Sequence, residues 1–194
     1  MSNSDTTVEL LINGSEYSGA NFSDTTVELL MNGSEYSGAN LIDEVNLLCP
    51  SSVIDVGCGS NFFKGKIKNL IGFDKLPHDN LDYCCDIVDM IVEDNSVDVA
   101  LALGSLQYKD RAATYKELAT VIKWIKSGGY IVMRVRPLVS ESDSIKSAGP
   151  YRWSKQWIDE ISKEFGLDIV KGPESDRNKN VTGLVRTVWW WKKQ

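Results

Sequence analysis

From residue 42 onward, apolar positions fall into short runs divided by polar, glycine-bearing stretches, and each run has the length of a strand or a helix. Val53–Val56 reads as a mostly apolar strand. Leu70–Phe73 is a second, closing on Asp74, and Leu81–Cys85 a third, closing on Asp86. Asp98–Leu103 is a fourth, ahead of Gly104, and Tyr130–Arg136 a fifth that Pro137 ends. Ile42–Leu48 reads as a short helix, and so does Phe62–Lys68, with Lys64, Lys66 and Lys68 around Ile67. The strongest helical period lies in Arg111–Lys126, where Tyr115, Leu118, Ala119, Ile122 and Ile125 recur at three-to-four spacing. Ser127-Gly128-Gly129 is its expected stop. Ser154 is placed to cap a helix over Lys155–Phe165, with Trp153 and Ile158 as a hydrophobic staple and Gly166 as the stop. Leu167–Val170 and Val185–Trp191 are two closing strands. The loop expected between them starts with a polar part, Lys171–Asn180.

Strands alternating with helices predict an α/β fold, a doubly wound and mostly parallel sheet with right-handed crossovers. The two closing strands have only a loop between them, so they predict an antiparallel pair at the C-terminal edge of that sheet.

Before residue 42 the chain repeats itself. Ser4–Phe22 and Ser23–Leu41 are the same 19-residue segment, differing only at Ile12/Met31 and Phe22/Leu41. Two copies are too few for a solenoid. Each has the pattern of a hairpin, Val-Glu-Leu-Leu, Asn-Gly, Ser-Glu-Tyr-Ser, because Asn-Gly suits a turn with positive φ at both central residues. A helix through Val8–Ile12 or Val27–Met31 is the alternative. The division expected is a duplicated segment, 1–41, and a domain, 42–194.

Composition narrows the function classes. A chain of 194 residues with 42% hydrophobic residues suits one α/β domain with a sizeable core. A net charge of −6 argues against general binding to a nucleic-acid backbone. No apolar run reaches the length of a membrane span, and the polar, acidic Met1-Ser-Asn-Ser-Asp5 is unlike a signal peptide. Cys49, Cys58, Cys84 and Cys85 lie in or beside apolar stretches and lack zinc-site spacing, so buried reduced thiols, no metal and cytoplasmic residence are expected.

In an open parallel sheet, ligands bind beyond the carboxyl ends of the strands. There the sequence puts Asp55-Val-Gly57-Cys-Gly59-Ser-Asn61 around the first strand, Asp74 after the second, Asp86 after the third, and Gly104-Ser105-Leu106-Gln107-Tyr108 after the fourth. Glycines let a backbone approach a ligand closely. A carboxylate after the second strand suits ribose hydroxyls, and one after the third suits an adenine amino group. A dinucleotide would need a third glycine, where Phe62 stands, and a free helix N-terminus for its pyrophosphate. The Phe62-Phe63 pair fits a nucleoside ligand without phosphate better.

These residues carry a family resemblance. Val53-Ile-Asp-Val-Gly-Cys-Gly59 resembles the first motif of class I S-adenosylmethionine-dependent methyltransferases. Ile71-Gly-Phe-Asp74 is similar to their second and Asp86-Ile-Val-Asp-Met90 to their third. Asn95-Ser-Val-Asp-Val-Ala100 resembles the fourth, and Ile125–Val132 the segment entering the fifth strand. The resemblance spans residues 42 to 194. It implies a Rossmann-like fold, S-adenosyl-L-methionine as cofactor, and a cofactor site made of Asp55, Gly57, Cys58, Gly59, Asp74, Lys75, Asp86, Ile87, Gly104 and Ser105. Gly57 and Gly59 would face the methionine part, Asp55 would orient their loop, Asp74 would hold the ribose, and Asp86 with the backbone at Ile87 would bind adenine. The chain departs from the family at Ser60-Asn61, where many members have another glycine, and in the short links from Gly59 to Asp74 and from Asp74 to Asp86. Such compactness resembles small methyltransferases of phage genomes and sugar pathways.

The remaining candidates have structural alternatives beside them. Gln107 and Tyr108 are expected to touch an acceptor or simply to pack. Arg136 would meet an anionic substrate or close an internal ion pair. His78, the only histidine, lies in a polar loop and is expected to be a loop residue rather than a base. Asp98 opens its strand at the far end from the site and is expected to be structural. Trp189-Trp190-Trp191 reads as core and edge covering, and Lys192-Lys193 as solvated. Methyl transfer needs alignment more than side-chain chemistry, so the acceptor is not legible. Rival readings are another transferase of the same fold, such as an aminopropyl transferase, and a binding module without turnover. A homodimer through the N-terminal segment or the Trp-rich edge is left open.

Overall fold

The computed structural model describes residues 11–12, 15–16, 38–107, 109–135, 153–177 and 185–194; for 11–12, 15–16, 174–177 and 185–186 only the backbone is described. The chain forms two compact units, Met1–Tyr36 and Ser37–Gln194. In the first, β1 (Leu11–Ile12) pairs antiparallel with β2 (Ser15–Glu16), Leu11 opposite Glu16 and Ile12 opposite Ser15. That register is what a two-residue Asn-Gly connection between strands requires, so the first copy follows the hairpin expectation at these residues. The corresponding part of the second copy lies outside the described residues.

The second unit is built on a seven-stranded sheet of order β5-β4-β3-β6-β7-β9-β8. Its strands are β3 (Val53–Val56), β4 (Leu70–Asp74), β5 (Tyr83–Cys84), β6 (Val97–Leu103), β7 (Ile125–Val135), β8 (Leu167–Arg177) and β9 (Val185–Lys193). From β5 to β7 every pairing is parallel; β9 runs antiparallel to both β7 and β8. This is the Rossmann-like α/β architecture with the antiparallel C-terminal pair. The central strands are apolar in both directions because both faces are covered. On one face α1 (Leu41–Leu47) and the segment carrying Phe63 and Ile67 pack on Val53, Val99, Leu101, Val132 and Trp190. On the other, α2 (Arg111–Trp124) and α3 (Lys155–Phe165) cover Ile54, Val56, Phe73, Ala100, Ile131 and Met133. Trp153, Trp157, Trp189 and Trp191 fill that second layer with ring centroids 3.9–6.0 Å apart. The three consecutive tryptophans are therefore core, on an inner strand and not on an exposed edge.

The caps of α3 follow the sequence. Ser154 Oγ accepts from the Trp157 amide at 3.1 Å, and Gly166 stops the helix with φ of 62°. Elsewhere the structure corrects the expectation. Phe62–Lys68 is not a helix but a chain of turns, because Asn61 and Gly65 adopt φ of 53° and 77° and break the helical path on either side. Phe63 and Ile67 are buried even so, four residues apart as they would be on a helix face. α2 ends at Trp124 and not at the glycines. Ile125 already pairs with Val97, and Gly128, with φ of 79°, belongs to a bulge inside β7. Lys193, expected to be solvated, closes that helix end: its Nζ donates to the carbonyls of Ile122 and Ile125 at 3.1 and 2.8 Å. The third strand shrinks to Tyr83–Cys84. The polar stretch Lys171–Arg177 is strand and not loop; as the edge of the sheet it needs no second apolar face. The thiols are free, but Cys49 and Cys84 are exposed and Cys58 and Cys85 only partly covered, against the expectation of burial. No helix of the described residues is long and apolar enough to cross a membrane.

Candidate cofactor site

The carboxyl ends of β3, β4, β5 and β6 lie side by side, which brings the glycine loop, Asp74, Asp86 and Gly104-Ser105 to one end of the sheet. The loop begins where the Gly57 and Cys58 amides both donate to the Phe73 carbonyl, at 2.9 and 3.0 Å. Gly57 has φ of 66° and faces Ser105; a Cβ there would stand closer than 3.0 Å to the Ser105 Cβ, so only glycine lets the two loops meet. Gly59 has φ of 56° with nothing within 4 Å of the place a Cβ would take, so the space above it is open. Its amide donates to Asp74 Oδ2 at 3.0 Å, and the Leu76 amide donates to Oδ1 at 2.9 Å. Each carboxylate oxygen accepts more than one hydrogen bond, so Asp74 keeps acceptor capacity for a pair of hydroxyls. Ser105 Oγ is buried and has no hydrogen-bond partner among the described residues.

Asp55 lies beneath the loop, 3% exposed. Burial, with the charge of Asp74 added, pushes its carboxyl up to about 7. The Cys58 thiol is pushed upward by burial and by Asp55 and Asp74, so it stays protonated at neutral pH. Lys75 is exposed beyond Asp74, Ile87 is buried, and Gly104 takes φ of 111°. Gln107 is 1% exposed, while Tyr108 and Arg136 lie outside the described residues. His78 is exposed in its loop. Asp98 stands at the opposite end of β6, where it accepts from the Ser51 and Ser52 amides and pairs with Lys126 at 2.7 Å. It is structural, as expected.

Two sets of residues here were not anticipated. Asn61 and Asp82 form a clasp between the glycine loop and β4. Asp82 Oδ2 accepts from the Gly72 amide at 2.8 Å and from Asn61 Nδ2 at 3.2 Å, and Lys64 Nζ reaches Oδ1 at 2.6 Å. The Asn61 side chain lies so close over Gly72 that a Cβ there would come within 2.5 Å of it. The one signal in the sequence was Asn61 itself, a departure from glycine at a turn position. The second set is Lys109, which pairs with Asp86 at 3.1 Å and with Glu117. Burial raises the Asp86 carboxyl, but Lys109 and the Val88 and Ile87 amides outweigh it and hold the group below the usual carboxylate range.

The segment after the glycine loop differs from that of a dinucleotide site. A pyrophosphate is held by the amides and dipole of a helix N-terminus, and residues 61–69 form turns. No helix N-terminus within residues 61–69 is therefore available to a pyrophosphate at this loop. Residues 48–170 match a family model described as "Hypothetical methyltransferase", more than half of the chain. The chain belongs to this methyltransferase family. The chain is 25% identical over 185 residues to a phosphoethanolamine N-methyltransferase of Triticum aestivum. The match takes in 77% of this chain and only 37% of the wheat protein, so the chain spans well under half the length of that relative. Its fold is similar to the 1,6-didemethyltoxoflavin-N1-methyltransferase of Burkholderia thailandensis, with bound 1,6-didemethyltoxoflavin and S-adenosylhomocysteine. The TM-score is 0.64 at 14% identity, over 88% of this chain and 83% of that one. It is also similar to the magnesium protoporphyrin IX methyltransferase of Synechocystis with bound S-adenosylmethionine. Here the TM-score is 0.60 at 9% identity, over 91% and 87%. The family model thus makes the chain a member of a methyltransferase family, and its fold is that of the S-adenosylmethionine-dependent methyltransferases it resembles.

Proposed function

We propose that the methyltransferase holds S-adenosylmethionine across the carboxyl ends of β3 to β6 and transfers its methyl group to a small acceptor. The observation that carries this reading is the open space above Gly59, flanked by the Asp74 carboxylate and followed by turns rather than a helix. Gly57, Cys58 and Gly59 lie along the methionine part, with Asp55 beneath. Asp74 and Lys75 take the ribose, Asp86 and Ile87 the adenine, and Gly104 and Ser105 the β6 side. The unpartnered Ser105 Oγ gives the ligand a hydroxyl to meet there.

When bound, the cofactor supplies a sulfonium-activated methyl group, so the acceptor's lone pair forms the new bond as the carbon–sulfur bond breaks. The protein's part is alignment and exclusion of water. In this reading the acceptor lies beyond the end of β6, with Tyr108 and Arg136 as its proposed contacts, while Gln107, 1% exposed, packs instead. Arg136 suits an anionic acceptor, and the wheat relative is named for phosphoethanolamine, an amine with a phosphate. The amine of such an acceptor is an ammonium near neutral pH, so it gives a proton to solvent before its lone pair attacks.

The test is turnover with methyl-labelled S-adenosylmethionine and phosphoethanolamine, choline phosphate precursors and a catechol as acceptors. Label in an amine product, lost in Arg136→Met, supports the reading. Tight binding of S-adenosylhomocysteine with no label in any acceptor would favour a binding module without turnover.

A further inference from the structure

Lys109 lies in the link between β6 and α2, just before Asp110, whose Oδ1 caps the helix by accepting from the Ala113 amide at 2.9 Å. Its own carbonyl accepts from Thr114 Oγ1 at 3.4 Å, so the backbone is tied to the first turn. From there Nζ spans two carboxylates on different elements. One is Glu117, on the next turn of α2 and 5% exposed; the other is Asp86, at the end of the β5 segment and the start of the 3-10 turn Ile87–Asp89. A carboxylate as buried as Glu117 needs a cation beside it. Lys109 is thus held from the helix side and hands its charge to Asp86.

That arrangement leaves the two oxygens of Asp86 unequally occupied. Oδ2 is taken by Lys109 at 3.1 Å. Oδ1 has the Val88 amide at 3.4 Å, longer than a good hydrogen bond, and keeps room for a second donor. Without Lys109 the carboxylate is free to turn about its last torsion, with the uncompensated charge of Glu117 behind it. We propose that Lys109 is the positioning residue of the base pocket: it orients Asp86 so that one oxygen accepts from an exocyclic amino group, which makes the site selective for adenine over a 6-oxo purine. This rests on the assignment of Asp86 to the base in the preceding section.

The experiment is calorimetric titration with S-adenosylhomocysteine and S-inosylhomocysteine, which differ in the amino group and the oxygen at that position. The wild type should prefer the adenosine ligand by about tenfold or more, the value of a hydrogen bond to a charged acceptor. Asp86→Ala should lose most of that preference, Lys109→Met should lose it too, and Lys109→Arg should keep it. Because Lys109→Met leaves Glu117 buried and unpaired, Lys109→Met/Glu117→Gln is measured alongside and should show the same lost ratio in a folded protein. A general loss of fold would weaken both ligands equally and leave the ratio intact. If Asp86→Ala loses the preference while Lys109→Met and Lys109→Met/Glu117→Gln keep it, the positioning role is overturned and the site assignment stands. If Asp86→Ala keeps the preference, the base is not read at Asp86 and the inference falls with that assignment.

Discussion

Gly57→Ala is the substitution whose cost the geometry divides most cleanly. The residue has φ of 66°, and an L side chain in the left-handed region costs roughly 1–2 kcal/mol. Its new Cβ would also stand closer than 3.0 Å to the Ser105 Cβ, and overpacking of that kind costs typically about 1–3 kcal/mol. The two parts respond differently to a second change. Ser105→Gly removes the atom that is struck but leaves the backbone penalty untouched, and alone it should cost roughly 0.5–1 kcal/mol in chain entropy. The double variant should therefore be more stable than additivity predicts by about 1–3 kcal/mol, the steric part alone. Urea unfolding followed by tryptophan fluorescence reads this directly, since all six tryptophans are buried. S-adenosylhomocysteine should also bind Gly57→Ala more weakly. Additivity within about 0.5 kcal/mol would show that the two loops do not meet as described.

Asp55 gives a pH signature. Its folded value near 7 is above the unfolded one, so its share of stability is complete below pH 4 and lost as pH rises through 7. Asp55→Asn should remove that slope, so that its stability relative to the wild type rises between pH 5 and pH 8 by at most roughly 3 kcal/mol. Identical slopes for the two proteins would contradict it. Asp98 acts in the opposite sense. Burial raises its carboxyl, but Lys126 and Ser51 outweigh that and hold it at about 2, so its stabilisation is lost between pH 4 and 2. Asp98→Asn should unfold with a shallower acid limb while still binding S-adenosylhomocysteine. Lys193→Met should destabilise by about 1–2 kcal/mol through the uncapped end of α2, with no change in ligand affinity. Deleting residues 1–22 should leave cofactor binding intact, because every proposed ligand lies at or after Asp55; loss of binding in a folded truncated chain would make the first copy part of the site.

What the sequence disclosed was local. Val53–Val56 and the run from Val97 to Leu103 are apolar but for Asp55 and Asp98, and α3 carries both its caps in Ser154 and Gly166, so these elements were legible without any partner. Asp55, Gly57, Gly59, Asp74 and Asp86 gather at one end of the sheet because strand ends gather there in any such topology. The misses depended on partners distant in sequence. Phe63 and Ile67 have helical spacing, and nothing in their types reveals that Asn61 takes a left-handed φ. Asp82 answers to Asn61 and Gly72, Lys109 to Asp86, and Lys193 to carbonyls some 70 positions earlier, all contacts made only once the sheet is assembled. The polar half of β8 looked like loop because an edge strand can be as polar as one.

The central claim is that the glycine loop with Asp74 binds S-adenosylmethionine and no dinucleotide. Calorimetric titration of the full chain with S-adenosylhomocysteine and with NAD, repeated on Asp74→Ala and Asp98→Ala, tests it in one series. The account predicts saturable one-site binding of S-adenosylhomocysteine, weakened roughly tenfold or more by Asp74→Ala as the ribose loses a charged acceptor and unchanged by Asp98→Ala, with no comparable heat from NAD. Binding of NAD in place of S-adenosylhomocysteine, or equal affinity in the two variants, would contradict it.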